Sequence, residues 1–115
     1  MSHARQHGFD GEQRAATFLQ RRGFVIVTHN WHCRGGEIDL VTTLAQTWVF
    51  VEVRYRTRGR SAALESINPR KVKRLVQAAQ QYLQVHQLDN VDWRIDVVVV
   101  DRDSIEHIPH AIELH

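Results

Sequence analysis

Residues 47–55 read Thr-Trp-Val-Phe-Val-Glu-Val-Arg-Tyr, a run of β-formers interrupted by one acid and one base. Strand alternation puts Val49, Val51 and Val53 on one face and Phe50, Glu52 and Arg54 on the other. Residues 37–43, Glu-Ile-Asp-Leu-Val-Thr-Thr, form a second strand, joined to the first by the hairpin loop Leu44-Ala45-Gln46. There Ile38 and Leu40 share a face, and Glu37, Asp39 and Val41 share the opposite one. Paired as a hairpin, the strands bring Asp39 and Glu52 to the same side, with Arg54 beside Glu52. Taking an ionised carboxylate out of water costs roughly several kcal/mol unless a metal or a partner compensates. Acids inside apolar strands therefore mark a site.

The rest of the chain supplies supports for this hairpin. A first helix is expected over residues 10–22, with Asp10 as cap, Gln13 three residues on and Gly23 as terminator. Glu12, Ala15, Ala16 and Leu19 fall at i, i+3, i+4 and i+7, so Glu12 faces the sheet; complementing the helix dipole is its alternative role. Residues 24–28 start a strand that Asn30-Trp31-His32-Cys33 either continues or bends away from, and Gly35-Gly36 makes the turn. Residues 57–66, rich in Arg, Gly and Ser, read as a mobile loop. Asn68-Pro69 opens a second helix with the apolar stripe Val72, Leu75, Val76, Ala79 and Leu83. Residues 91–101 form a central strand, since 97–100 are apolar on both faces, and 105–114 a last short strand with a frayed tail. The order predicts one mixed α/β or α+β domain over residues 1–115.

Composition narrows the function classes. A single cysteine, Cys33, excludes an intrachain disulfide framework and fits a reducing cytoplasm. No apolar run approaches the roughly 20 residues of a membrane span, and the N-terminal residues carry no signal-peptide core. Net charge is only +2, but eight of the fifteen basic residues are Arg54, Arg56, Arg58, Arg60, Arg70, Lys71, Lys73 and Arg74. Such a patch suits a polyanion; a solvated loop and helix face is the simpler alternative. The eight histidines form no standard zinc spacing, even where His29, His32 and Cys33 lie close together. Cys33 beside Arg34 lacks an acid–base partner. Trp31, Trp48 and Trp93 belong to the core, with base stacking an alternative for Trp31. Asp96 pairs with Arg94 or with Lys71.

Three acids of distant origin, Glu12, Asp39 and Glu52, thus converge beside Arg54. Mg²⁺ takes one or two carboxylates plus waters, and a bound cation lowers a water's pKa and steadies charge on a phosphodiester. Simpler roles are a cross-strand ion pair for Asp39 and pairing with Arg54 or Lys71 for Glu52.

At these residues the chain resembles the PD-(D/E)xK nuclease superfamily, and more closely the YraN-type family of small bacterial proteins akin to Holliday-junction resolvases. The resemblance rests on Gly11-Glu12, Arg34-Gly35-Gly36-Glu37-Ile38-Asp39-Leu40, Val49-Phe50-Val51-Glu52-Val53-Arg54-Tyr55-Arg56, Lys71 with Arg74-Leu75 and Ala79, and Arg94-Ile95-Asp96-Val97-Val98. It implies a restriction-endonuclease-like core of helix, three-stranded meander, helix and return strand. It also implies Asp39 and Glu52 as ligands of Mg²⁺ or Mn²⁺, the Val53 carbonyl as a third, Glu12 as an accessory acid and Lys71 near the phosphate. The implied substrate is DNA, branched or single-stranded, and the resolvase likeness implies a homodimer. Superfamily nucleases usually carry lysine where this chain has Arg54, which keeps its charge but does not deprotonate; Lys71 or Lys73 would have to reach in instead. That substitution favours nucleic-acid binding over catalysis. Arg56, Arg58, Arg60, Arg70, Lys71, Lys73 and Arg74 are the expected phosphate grip. The alternatives are a non-catalytic nucleic-acid-binding module, with Glu52 paired to Arg54, and a protein–protein adaptor on the same fold.

Overall fold

A computed structural model describes residues 3–55 and 59–112. In chain order the elements are α1 (His3–Arg21), β1 (Val25–Cys33), β2 (Gly36–Leu44), β3 (Thr47–Tyr55), α2 (Gly59–Glu65), α3 (Pro69–Val85), β4 (Asp92–Val100) and β5 (Ile105–Ile108). The strands form one sheet in the order β1-β2-β3-β4-β5. β3 and β4 run parallel while every other neighbouring pair is antiparallel. A parallel pair cannot be closed by a tight turn, so the chain crosses over through α2 and α3. This is the expected mixed α+β architecture.

The sheet carries a helix layer on each side. On one side Ala15, Ala16 and Leu19 of α1 pack on Leu40, Val49, Val51, Val98 and Val100. On the other, Leu75, Ala78, Ala79, Tyr82 and Leu83 of α3 pack on Ile38, Val41, Phe50 and Ile95. Fully burying a side chain such as Phe50 stabilises the fold by about 1.5–3 kcal/mol. All three tryptophans pack against this α3-side core; Trp31 meets Tyr82 edge-on at 5.2 Å. Asn68 caps α3, its Oδ1 accepting the Lys71 N–H at 2.9 Å, and Pro69 follows at the first turn. β4 is interior as expected, and its residues 95–100 are buried.

Four expectations are corrected. The first helix begins at His3, well before Asp10, because the preceding Ala4-Arg5-Gln6 are good helix formers; Asp10 is an exposed interior residue and not the cap. The helix also removes first-turn dipole compensation as a role for Glu12. Residues 59–65 form α2 instead of a mobile loop: Ala63 is fully buried against Val97, Val99 and Ile108, a contact too short to show periodicity. Leu44 pairs with Thr47, so the hairpin loop is only Ala45-Gln46, with Ala45 at φ 54°. Finally, Ile38 and Leu40 do not share a face, since Ile38 belongs to the α3 layer and Leu40 to the α1 layer.

Candidate active site at the split of β2 and β3

The division of Ile38 and Leu40 between the two layers marks the site. β2 and β3 pair from Leu44↔Thr47 to Leu40↔Val51 and no further. The next pair would set Asp39 opposite Glu52. Instead the Val53 N–H donates to Asp39 Oδ2 at 2.8 Å. The Asp39 carboxyl thus takes a place that a β2 carbonyl would hold in a continued ladder, and side-chain alternation breaks there. A strand residue directs its N–H and C=O toward the same neighbour, so the Val53 carbonyl faces the same gap. On the other side of β2, Asn30 lies opposite Asp39 in register and has φ 49°. Two facing irregularities therefore flank one carboxylate.

Three acids meet in this gap. Asp39 hydrogen-bonds both Glu52 and Glu12. Burial and the facing Glu52 carboxylate push the Asp39 carboxyl up to about 9, so at neutral pH Asp39 holds its proton. Burial also raises Glu12, against hydrogen bonds from Asn30 and Asp39. Among the described residues no three His, Cys, Asp or Glu side chains are grouped as a ready metal cage. The donors at hand are the Asp39 and Glu52 carboxylates and the Val53 carbonyl. That oxygen-only, open set suits a hard cation that keeps several waters.

Cations approach Glu52 from the α3 side. Arg54 Nη2 lies 3.1 Å and Lys71 Nζ 3.3 Å from the same atom, Glu52 Oε2. Glu52 itself is buried. The Arg54 Nε is also buried and has no hydrogen-bond partner. Lys71 further lines an open cleft of about 390 Å³ between the β1–β2 turn and α3, together with Arg34 and Arg74. The turn sits directly on the helix: a Cβ at Gly36 would stand 3.4 Å from the Arg74 carbonyl oxygen.

Glu12, Asp39, Glu52, Val53, Arg54 and Lys71 are thus brought together, and Arg74 joins them through the cleft. Arg70 and Lys73 are exposed on α3 and do not line it. Arg56, Arg58 and the side chain of Arg60 lie outside the described residues. Asp96 takes no part. It is fully buried and accepts from Arg94 Nε at 2.9 Å, His107 Nε2 at 2.7 Å and the His110 N–H at 2.8 Å, so it pairs with Arg94 and not with Lys71. Although burial opposes ionisation, the bonds from His107, Arg94 and His110 hold its carboxyl below the usual range. Sequence reasoning missed Asn30, whose side chain hydrogen-bonds Glu12. Its signal was present in kind: asparagine adopts positive φ more readily than other non-glycine residues.

Among the described residues no helix is long and apolar enough to cross a membrane. The profile described as "Uncharacterised protein family UPF0102" matches residues 11–100. A UPF0102 protein of Roseiflexus castenholzii is 46% identical over 112 residues, covering 90% of each chain. One from Chloroflexus aurantiacus is 48% identical over 97 residues, covering 84% of this chain and 79% of its own. One from Shewanella woodyi is 37% identical over 108 residues, covering 93% and 92%.

Proposed function

The chain belongs to the uncharacterised protein family UPF0102, and from the site its residues build we propose a nucleic-acid-binding, nuclease-like protein that takes a divalent cation at Asp39 and Glu52. The observation that carries this reading is the contact of two carboxylates at the strand split, with the Val53 carbonyl facing the same gap. Two buried acids in contact are unfavourable unless they share a proton or a cation. The PD-(D/E)xK resemblance supplies the reaction class, hydrolysis of a phosphodiester in DNA. Bound Mg²⁺ or Mn²⁺ would supply an acidic water and charge neutralisation at the phosphate.

The protein's own groups divide the remaining work. Asp39 and Glu52 hold the cation, and the Val53 N–H fixes the Asp39 carboxyl. Glu12, steadied by Asn30, presents a further carboxyl to Asp39 and can accept a hydrogen bond from a water there. Arg54 stays charged and anchors Glu52; it cannot act as a base. Lys71 and Arg74 offer positive charge to a phosphate in the cleft. Arg70 and Lys73 extend that charge along α3.

A second reading has its own observation. Glu52 already forms ion pairs with both Arg54 and Lys71, as a binding module without catalysis would require.

Titrating Mn²⁺ into the protein and into Asp39→Asn separates the two. The nuclease-like reading expects binding by the first and at least tenfold weaker binding by the second. Equal affinity, or no binding by either, leaves the module. Incubation with supercoiled and four-way-junction DNA tests cutting, with Glu52→Gln as control. Cutting that survives in this variant would place the activity elsewhere.

A further inference from the structure

Lys71 belongs to two places at once. Its ammonium is 3.3 Å from Glu52 Oε2, and its side chain also lines the cleft that holds Arg34 and Arg74. The same oxygen already receives Arg54 at 3.1 Å. We propose that Lys71 is a transferable counter-ion, neutralising Glu52 in the metal-free protein and swinging into the cleft to hold a phosphate group when a divalent cation takes over Glu52. The proposal rests on the metal-site reading above and adds the coupling between metal and polyanion.

Arg54 and Lys71 together oppose a metal at Glu52. A divalent ion ligated by Glu52 would face two unit positive charges drawn to one carboxylate oxygen. Their repulsion in a half-buried site weakens metal binding by orders of magnitude unless one cation withdraws. The structure distinguishes which one can. Arg54 is the more enclosed, with its side chain 19% exposed and its Nε buried without a partner. Lys71 is 29% exposed, carries a compact ammonium on a flexible stem, and has the cleft beside it.

The cleft is prepared for an anion and not for a free lysine. Its acid, Glu37, is half exposed and lies 3.3 Å from His32 Nδ1. Arg34 and Arg74 are exposed there with no ion pair among those described, so an arriving Lys71 adds to a positive field and needs a negative ligand. The phosphate backbone of a nucleic acid has that chemistry. Metal and polyanion then favour each other, each stabilising the arrangement in which Lys71 has left Glu52.

Lys71→Met tests this because it acts on the two ligands in opposite directions. Free Mn²⁺ is followed by electron paramagnetic resonance during titration of the protein, and a short fluorescein-labelled DNA duplex by anisotropy, with gels checking that it stays uncut. In the wild type, Mn²⁺ should tighten duplex binding at least about fivefold. Lys71→Met should bind Mn²⁺ about fivefold more tightly, bind duplex more weakly and lose the Mn²⁺-dependent gain. Arg102→Met, which removes an exposed charge between β4 and β5 that does not line the cleft, should leave Mn²⁺ affinity unaltered. Thermal melting checks the fold, with Lys71→Gln as the second variant. Unchanged or weaker Mn²⁺ binding by both Lys71 variants overturns the transfer while leaving the metal site standing. Mn²⁺-independent duplex binding by the wild type does the same. Failure of the wild type to bind Mn²⁺ removes the metal site and the transfer together.

Discussion

Asp39 gives the metal-free protein a distinctive response to pH. Its folded-state pKa is raised from 3.8 to about 9 by burial and the facing Glu52 carboxylate. The folded protein therefore holds a proton that the unfolded chain releases, and this contribution to stability is complete below the lower value and lost as pH rises through the upper one. Urea unfolding without added metal should show stability declining across that window, with a shallower decline in Asp39→Asn; parallel profiles would contradict it. Asn30 makes a separate prediction from its backbone. At φ 49° an alanine suffers a steric penalty that glycine does not. Asn30→Ala should be about 1 kcal/mol less stable than Asn30→Gly, measured by chemical denaturation. Both should lose the hydrogen bond to Glu12, so a stability difference without a difference in Mn²⁺ affinity would separate strain from site geometry.

At the level of elements, β3 was fully legible because its residues are strong β-formers bounded by polar turns, and α3 was legible from Asn68-Pro69 and its apolar stripe. α2 was not: it is a seven-residue helix held by tertiary contacts of Ala63, and its sequence is indistinguishable from a loop. The candidate site was legible in composition but not in geometry. Strict alternation predicted the approach of Asp39 to Glu52, yet it could not foresee that Asp39 would bond the Val53 N–H and send Ile38 and Leu40 to opposite layers. The cap of α3 offers a test at this scale. Asn68→Ala leaves the Lys71 N–H without its side-chain acceptor, and should cost about 1 kcal/mol of stability by thermal or urea unfolding. Full retention of stability would mean that solvent replaces the cap without loss.

Across the whole molecule, the proposed nucleic-acid surface runs from the cleft along the exposed face of α3. Each phosphate neutralised by a basic side chain should steepen the dependence of log affinity on log salt by about 0.9 for a duplex. Lys73→Met should thus flatten that slope by about one unit in anisotropy titrations; an unchanged slope would take Lys73 off the surface. The parallel pairing of β3 with β4 has a consequence of another kind, in the order of assembly. β1, β2 and β3 are joined by tight turns, whereas β4 is reached only through the crossover that contains α2 and α3. Local closures are faster than long crossovers. A chain still emerging from the ribosome, complete only through β3, would already contain Asp39, Glu52 and Arg54 on one hairpin. Lys71 and the α3 wall of the cleft arrive later, so the acids come together first and the basic surface proposed to meet a polyanion is added last.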